Sequence, residues 1–216
     1  NLMSNSFNYC WVFKRGLPGR VCDEIIKNAE LKKNQQRVAI TGDFGHDRDV
    51  VKYPLSKKET KKLNNIRKSN IIWMEDNWIY KEIHPFIANA NVEAGWNYET
   101  HYSENCQFTK YGKNDFYDWH SDSWAAPYNS EGFQKGKVRK LSVTVCLSDP
   151  NKFEGGDLQF DYRNQHPKNQ KIVHTVSDIR KGSIIVFPSW VWHRVTPVTK
   201  GTRYSLVIWT CGWPLK

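Results

Sequence analysis

The sequence predicts a mainly β fold with N-terminal helices, a jelly-roll sandwich buttressed by those helices. Apolar residues recur at helical spacing up to about residue 97, the period then switches to two, and glycines cut the second part into short strands. A chain of 216 residues with 39% hydrophobic residues and ten Trp can bury one substantial core. The expected organisation is therefore a single domain over 1–216, with a helical support region over 1–96 and a β core over 97–216.

The first predicted helix follows Pro18-Gly19 and runs from Arg20 to Glu30, with Val21, Ile25 and Ile26 on one face. Arg37 to Ile40 is a short strand candidate. Thr41 to Pro54, rich in Gly and Asp, reads as a loop. Lys57 to Asn70 reads as a helix. Asp76 caps another whose apolar face carries Ile79, Ile83, Phe86, Ile87 and Ala90, and Trp78 belongs to the same helix. Predicted strands follow at Tyr98–Tyr102, Cys106–Tyr111, Phe116–Asp122, Val138–Leu147, Asp157–Tyr162, Ile172–Val176, Ser183–Phe187, Val191–Val195 and Arg203–Thr210. Gly155-Gly156 reads as a tight turn.

Alternate residues of a strand face opposite sides. Leu141, Val143, Val145 and Leu147 form an apolar row expected to meet the helices, leaving Ser142, Thr144 and Cys146 for the other face. On the last strand Arg203, Ser205, Val207 and Trp209 share a face. His120 and Asp122 are expected to share one with Asp118, while Trp190 and Trp192 turn away from His193 toward the helices. The interior is then small, polar and cationic, the lining of an anion pocket. A buried Arg203 without a partner would cost several kcal/mol, so an anionic ligand resolves its placement.

The chemistry concentrates in His120-x-Asp122, a second histidine at His193 and Arg203 ten residues beyond it. Two neutral imidazoles and one carboxylate on one face of an octahedral metal leave three positions open. That suits a non-haem Fe(II) holding a bidentate co-substrate and O2. Arg203, a permanent cation with a forked donor face, suits a remote carboxylate of that co-substrate. His-x-Asp alone arises by chance in many proteins; its conjunction with His193 and Arg203 on predicted strands carries the reading. His46, His84, His101, His166 and His174 read as surface or core residues. Trp124 is the candidate for substrate contact and Trp209 for a wall of the co-substrate pocket. Lys137, Arg139 and Lys140 read as strand-edge charges.

The net charge of +10 favours an acidic partner, nucleic acid included, but much of it sits in the run Lys57-Lys58-Glu59-Thr60-Lys61-Lys62. A solvated helix face explains that run, and no nucleic-acid motif accompanies it. Five cysteines without a Cys-x-x-Cys argue against a structural zinc and a disulfide framework, and point to a reducing cytoplasm. No apolar run approaches the roughly 20 residues of a membrane span, and no secretory leader pattern stands at the start, where Met3 reads as the natural first residue.

Several stretches together resemble the prolyl-4-hydroxylase-like branch of the 2-oxoglutarate/Fe(II) dioxygenases, bacterial and phage members included. They are Gln107-Phe108-Thr109-Lys110-Tyr111, Tyr117-Asp118-Trp119-His120-Ser121-Asp122, Arg139 to Val145, Gly155-Gly156-Asp157-Leu158, Phe187-Pro188-Ser189, His193 to Val198 and Gly201 to Leu206. The likeness covers about residues 105 to 213. It implies a double-stranded β-helix of cupin-like form, with His120, Asp122 and His193 as catalytic Fe(II) ligands. Arg203 would pair with the distal carboxylate of 2-oxoglutarate, helped by the hydroxyls of Tyr111 and Ser205. The implied cofactors are Fe(II), 2-oxoglutarate and O2, with ascorbate as a supporting reductant. Cys146 departs from the larger polar side chain of some relatives. Trp209 stands where nucleic-acid-demethylating relatives carry a second Arg.

The resemblance implies hydroxylation of a C–H bond with release of succinate and CO2, with a peptidyl proline or similar protein side chain as the first expectation. The alternatives are a nucleobase or small-metabolite oxygenase and a non-catalytic cupin-like binding module. A peptide or protein partner, no membrane, and a cytoplasmic setting (the host's, for a phage-encoded member) complete the expectations.

Overall fold

A computed structural model describes residues 8–44, 50, 52–123, 126–162 and 173–215. Three helices and four short strands come from the N-terminal third. They are β1 (Trp11–Phe13), α1 (Gly19–Leu31), β2 (Arg37–Val38), α2 (Lys57–Asn64), β3 (Arg67–Lys68), β4 (Asn70–Met74) and α3 (Asn77–Glu93). The remainder is β: β5 (Tyr102–Ser103), β6 (Cys106–Tyr111), β7 (Phe116–His120), β8 (Val138–Cys146), β9 (Phe153–Gly155), β10 (Leu158–Asp161), β11 (Val173–Thr175), β12 (Ile184–Pro188), β13 (His193–Val195), β14 (Val198–Gly201) and β15 (Arg203–Gly212).

The strands form a large sheet in the order β1-β12-β8-β15-β6-β4-β2, with β5 also on β15, and a smaller sheet in the order β11-β10-β13-β7-β3. A β14-β9 ribbon stands beside them, and the pairings are antiparallel. This is the jelly-roll architecture expected from the sequence.

The helices form for local reasons and stay because of what they bury. In α1, Val21, Cys22, Ile25 and Ala29 recur at helical spacing and are buried. Ser56 and Glu59 close a reciprocal capping box on α2. Asp76 does stand at the start of α3, but its carboxylate makes no cap bond and reaches Lys32 at 2.8 Å instead. The buried faces of α1 and α3 pack on the row Leu141, Val143, Val145 and Leu147, as alternation predicts.

Between the sheets the lining is less polar than expected. Ile185, Phe187, Leu158 and Phe160 form a second apolar cluster there, and Trp190 packs with that cluster rather than with the helices. Its ring lies edge-on to Tyr9, 6.1 Å between centroids, and its indole N–H donates to Tyr98 Oη at 3.1 Å.

Two more expectations change. The predicted helix over Lys57–Asn70 stops at Asn64, and the following residues become β3 and β4. Arg67 pairs with Tyr117 on the small sheet while Asn70–Met74 pairs with β6 on the large one. The support region thus extends both sheets, a role that strands of two to five residues do not announce in sequence. Lys137, Arg139 and Lys140 are buried, not edge charges, because β8 lies between β12 and β15. Phe153–Gly155 and Val198–Gly201, which the periodicity does not mark, pair as the outer ribbon.

Candidate active site

His120 ends β7, His193 begins β13, and the two residues face each other in register. Asp122 is placed by the turn after β7 rather than by strand alternation: its N–H and that of Ser123 both donate to Ser189 O, at 2.8 and 2.9 Å. One ligand atom each from His120, Asp122 and His193 falls within 4.8 Å of the others. His120 Nε2 lies 3.6 Å from Asp122 Oδ1, and His193 Nε2 lies 3.5 Å from Oδ2.

The surroundings orient these three side chains toward a common point. His120 Nδ1 sits 2.7 Å from Asp118 O, and His193 Nδ1 sits 2.9 Å from Val191 O. A carbonyl can only accept, so each Nδ1 carries the proton and each Nε2 presents its lone pair. Ser142 Oγ donates to Asp122 Oδ2 at 2.7 Å and lies 2.9 Å from Ser189 Oγ. Burial, with His193 next, drives the His120 pKa well below its ordinary value, so the ring stays neutral. Burial alone would raise the Asp122 carboxyl. The imidazoles of His193 and His120, then Arg139 and the Ser142 hydroxyl, outweigh it and hold the pKa at about 2. A neutral His120 beside an ionised Asp122, with His193 Nε2 turned toward the same point, is a donor set that fits a divalent metal ion.

Tyr117 joins this group, a position the sequence analysis missed. Strand alternation puts residues three apart on opposite faces. Here Val195 pairs with Tyr117 and His193 with His120, so three steps on β7 match two on β13. That bulge turns Tyr117 onto the His120 side, where the rings stack with centroids 3.4 Å apart. Asp118, expected on that face, is exposed.

Arg203 begins β15 and is 4% exposed. Its Nη1 donates to Ser205 Oγ at 3.3 Å, and its guanidinium carbon lies 5.4 Å from the centre of the Tyr111 ring, Tyr111 being its register partner on β6. No carboxylate forms an ion pair with it among the described residues. Gly156 explains how the side chain fits: with φ at +65°, a Cβ there would stand 2.9 Å from Arg203 Cδ. The turn expected at Gly155-Gly156 is thus also a place of close approach.

Trp209 shares the face of Arg203 but lies six residues along β15, roughly 20 Å away at strand rise. It pairs with Ser142, the residue that holds Asp122, and lines a cavity of about 850 Å³ that reaches Asp122. Trp209, expected as a wall of the co-substrate pocket, thus lies at the metal side of the site and away from Arg203. Arg139 stacks on the Trp209 ring at 3.9 Å and forms a two-pronged pair with Glu104, Nε at 2.8 Å and Nη2 at 2.6 Å. Burial would raise the Glu104 carboxyl, but Arg139 and the Tyr128 hydroxyl draw it below the usual range. Arg67 also lines this cavity, 5% exposed, with its guanidinium 4.3 Å from the Tyr117 ring centre.

Of the remaining candidates, His84 lies 2.9 Å from Ser103 Oγ, His101 pairs with Glu99 and His174 stacks on Tyr162, none of them in the site. Trp124, His46 and His166 lie outside the described residues. Glu104, Arg139, Arg67 and Tyr117 are the site residues that the sequence did not disclose. A buried Arg on a central strand was the only available signal.

Residues 106–211 match the 2OG-Fe(II) oxygenase superfamily. The chain is 32% identical over 103 residues to the PKHD-type hydroxylase YbiX of Escherichia coli O157:H7, and 31% identical to that of Shigella boydii. Each match covers 47% of this chain and 40% of the relative, so the shared stretch spans two fifths of those proteins. The fold resembles a Pseudomonas putida prolyl-4-hydroxylase, with a TM-score of 0.63, 18% identity, and 94% of this chain and 92% of that one covered. It also resembles the viral collagen prolyl hydroxylase of Paramecium Bursaria Chlorella virus-1, with a TM-score of 0.60, 17% identity and coverage of 95% and 97%. A prolyl hydroxylase of Trichoplax adhaerens, solved with a hypoxia inducible factor peptide, gives a TM-score of 0.58 at 16% identity, with 94% and 83% covered.

Proposed function

We propose that this chain, whose residues 106–211 match the 2OG-Fe(II) oxygenase superfamily, is an oxygenase of that kind and hydroxylates a prolyl or similar side chain of a peptide. His120, Asp122 and His193 would hold Fe(II). The observation that carries the reading is Arg203, a buried guanidinium with no carboxylate partner among the described residues, in the same sandwich as the converging His120, Asp122 and His193. A five-carbon 2-oxo diacid suits both ends: an acid and keto oxygen for the metal, and a distal carboxylate for Arg203, Ser205 and Tyr111.

Bound Fe(II) would supply the activation of O2 that converts 2-oxoglutarate to succinate and CO2 and places one oxygen in a substrate C–H bond. The chain's own residues orient and enclose. Arg203 fixes the co-substrate, Ser142 holds Asp122 in one orientation, and the backbone carbonyls at residues 118 and 191 keep both imidazoles in the ligating tautomer. Trp209 and Tyr117 offer aromatic walls beside Asp122, and the indole N–H of Trp209 is buried without an acceptor among the described residues. A pyrrolidine ring packs on such a wall while a peptide carbonyl satisfies the N–H. The peptide-bound neighbour from Trichoplax adhaerens supports the same substrate class.

The test is succinate release with Fe(II), ascorbate and 2-oxoglutarate, with and without proline-rich peptides read for a one-oxygen mass gain. Peptide-stimulated turnover with the gain on proline is expected, and His193→Ala should abolish both. Turnover that survives His193→Ala would overturn the metal assignment. Succinate without any peptide modified would overturn the substrate assignment alone.

A further inference from the structure

Four buried donors without a hydrogen-bond partner among the described residues, Trp209 Nε1, Tyr102 Oη, Arg37 Nε and Thr41 Oγ1, belong to the wall of the same cavity of about 850 Å³. Trp209 lies beside Asp122 and has a role above. Arg37 and Thr41 do not. Arg37 sits on β2, the edge of the large sheet, in register with Ile71, and Ile71 and Trp73 line the cavity from β4. Thr41 follows three residues after β2.

The other charges around the cavity are largely committed. Lys32 is tied to Asp76, Arg139 to Glu104, and Glu75 accepts from Asn105. Arg67, reaching in from the small sheet, has only neutral acceptors, Ser69 Oγ at 3.0 Å and Gln107 Oε1 at 2.9 Å. Arg37 makes no hydrogen bond or ion pair among the described residues. Two guanidiniums, one from each sheet, therefore line one cavity without an ion pair among the described residues, while its carboxylates Glu75, Glu104 and Asp122 are engaged by Asn105, Arg139 and Ser142. Arg37 is half-buried, with its Nε shut off from water and lacking an acceptor among the described residues, an unfavourable placement that a ligand would relieve. Because the unsatisfied groups are cations and donors, that ligand must bring acceptors and negative charge.

We propose that Arg37 and Thr41, reinforced by Arg67, form an anion subsite that selects peptide substrates carrying an Asp or Glu near the hydroxylated residue. This rests on the peptide reading above and adds to it a charge preference set by the N-terminal strands. The space is at the large end for a small-molecule pocket and admits several residues of an extended chain.

The experiment has two arms, both on the full chain with 2-oxoglutarate present to occupy the Arg203 end. In the first, Trp fluorescence, reporting through Trp73 and Trp209, follows titration with N-acetyl-aspartate methylamide, its asparagine analogue and inorganic phosphate. In the second, proline peptides differing only by Asp against Asn beside the proline are compared for binding and for one-oxygen mass gain. The aspartate forms should bind about tenfold better. That ratio should fall to near one in Arg37→Gln and recover in part in Arg37→Lys, with melting curves confirming that the variants are folded. Equal binding of the aspartate and asparagine forms by the native protein overturns the subsite. So does phosphate binding without a carboxylate preference, which would assign the arginines to a phosphorylated ligand. Arg37-dependent carboxylate binding with no peptide oxidised upholds the subsite and overturns the peptide-hydroxylase reading. Oxidised peptides without an acidic preference do the reverse.

Discussion

Arg139 and Arg203 lie on adjacent strands, β8 and β15, and both are buried, yet their surroundings differ in kind. Arg139 has its counter-ion built into the chain: Glu104 meets it with two short bonds, Tyr128 Oη donates to the same carboxylate at 2.5 Å, and the Trp209 ring lies against the guanidinium. Arg203 has a hydroxyl, an aromatic ring and a glycine that makes room for it, but no carboxylate. A cation neutralised from within the fold is a structural element. One left without a counter-ion among the described residues is proposed above to receive an anion from outside, and the two should separate when perturbed.

The largest effect belongs to the internal pair. Glu104→Gln leaves Arg139 charged and buried without its partner, and should cost about 3–5 kcal/mol of unfolding free energy in a urea titration. If the melt does not move, the pair is not the structural element described. The pH dependence has a defined sign. Because the Glu104 carboxyl is depressed in the folded state, its contribution is fully present above the ordinary carboxylate range. It is lost as pH falls through the depressed value, so acid unfolding of the native protein should include a step that Glu104→Gln lacks.

Arg203→Ala should do the opposite, raising the 2-oxoglutarate requirement roughly ten- to a hundredfold, the scale of charge-assisted hydrogen bonds. In the native protein 2-oxoglutarate with Mn(II) should raise the melting temperature, and that rise should shrink in Arg203→Ala. An unchanged ligand-induced shift removes Arg203 from the co-substrate site. Ser142→Ala frees one oxygen of Asp122 and should weaken metal affinity about tenfold or more, read by metal titration with chelator competition. Gly156→Ala is the mildest. Adding a Cβ in left-handed backbone costs about 1–2 kcal/mol and crowds Arg203, so a small drop in melting temperature should accompany a raised 2-oxoglutarate requirement.

The sequence carried the parts of this protein that rest on short-range rules. Period-two patterning after residue 97 located most strands of the β core to within a few residues, β9 and β14 excepted, because a sheet with one face on helices must alternate. The His-x-Asp spacing and His193, whose ligand atoms the fold brings within 4.8 Å, were legible because chemistry restricts which residue types can hold a metal. Tertiary structure decided what depends on partners distant in the chain. A bulge against β13 turned Tyr117 toward His120, contrary to simple alternation. Glu104, 35 residues before Arg139, made that arginine structural rather than receptive. Strands of two to five residues in the N-terminal third took their place only because β6 and β7 offered open edges. Side-chain type and period are local properties of a chain, whereas the neutralisation of a buried charge and the pairing of a short strand are properties of what the fold brings beside it.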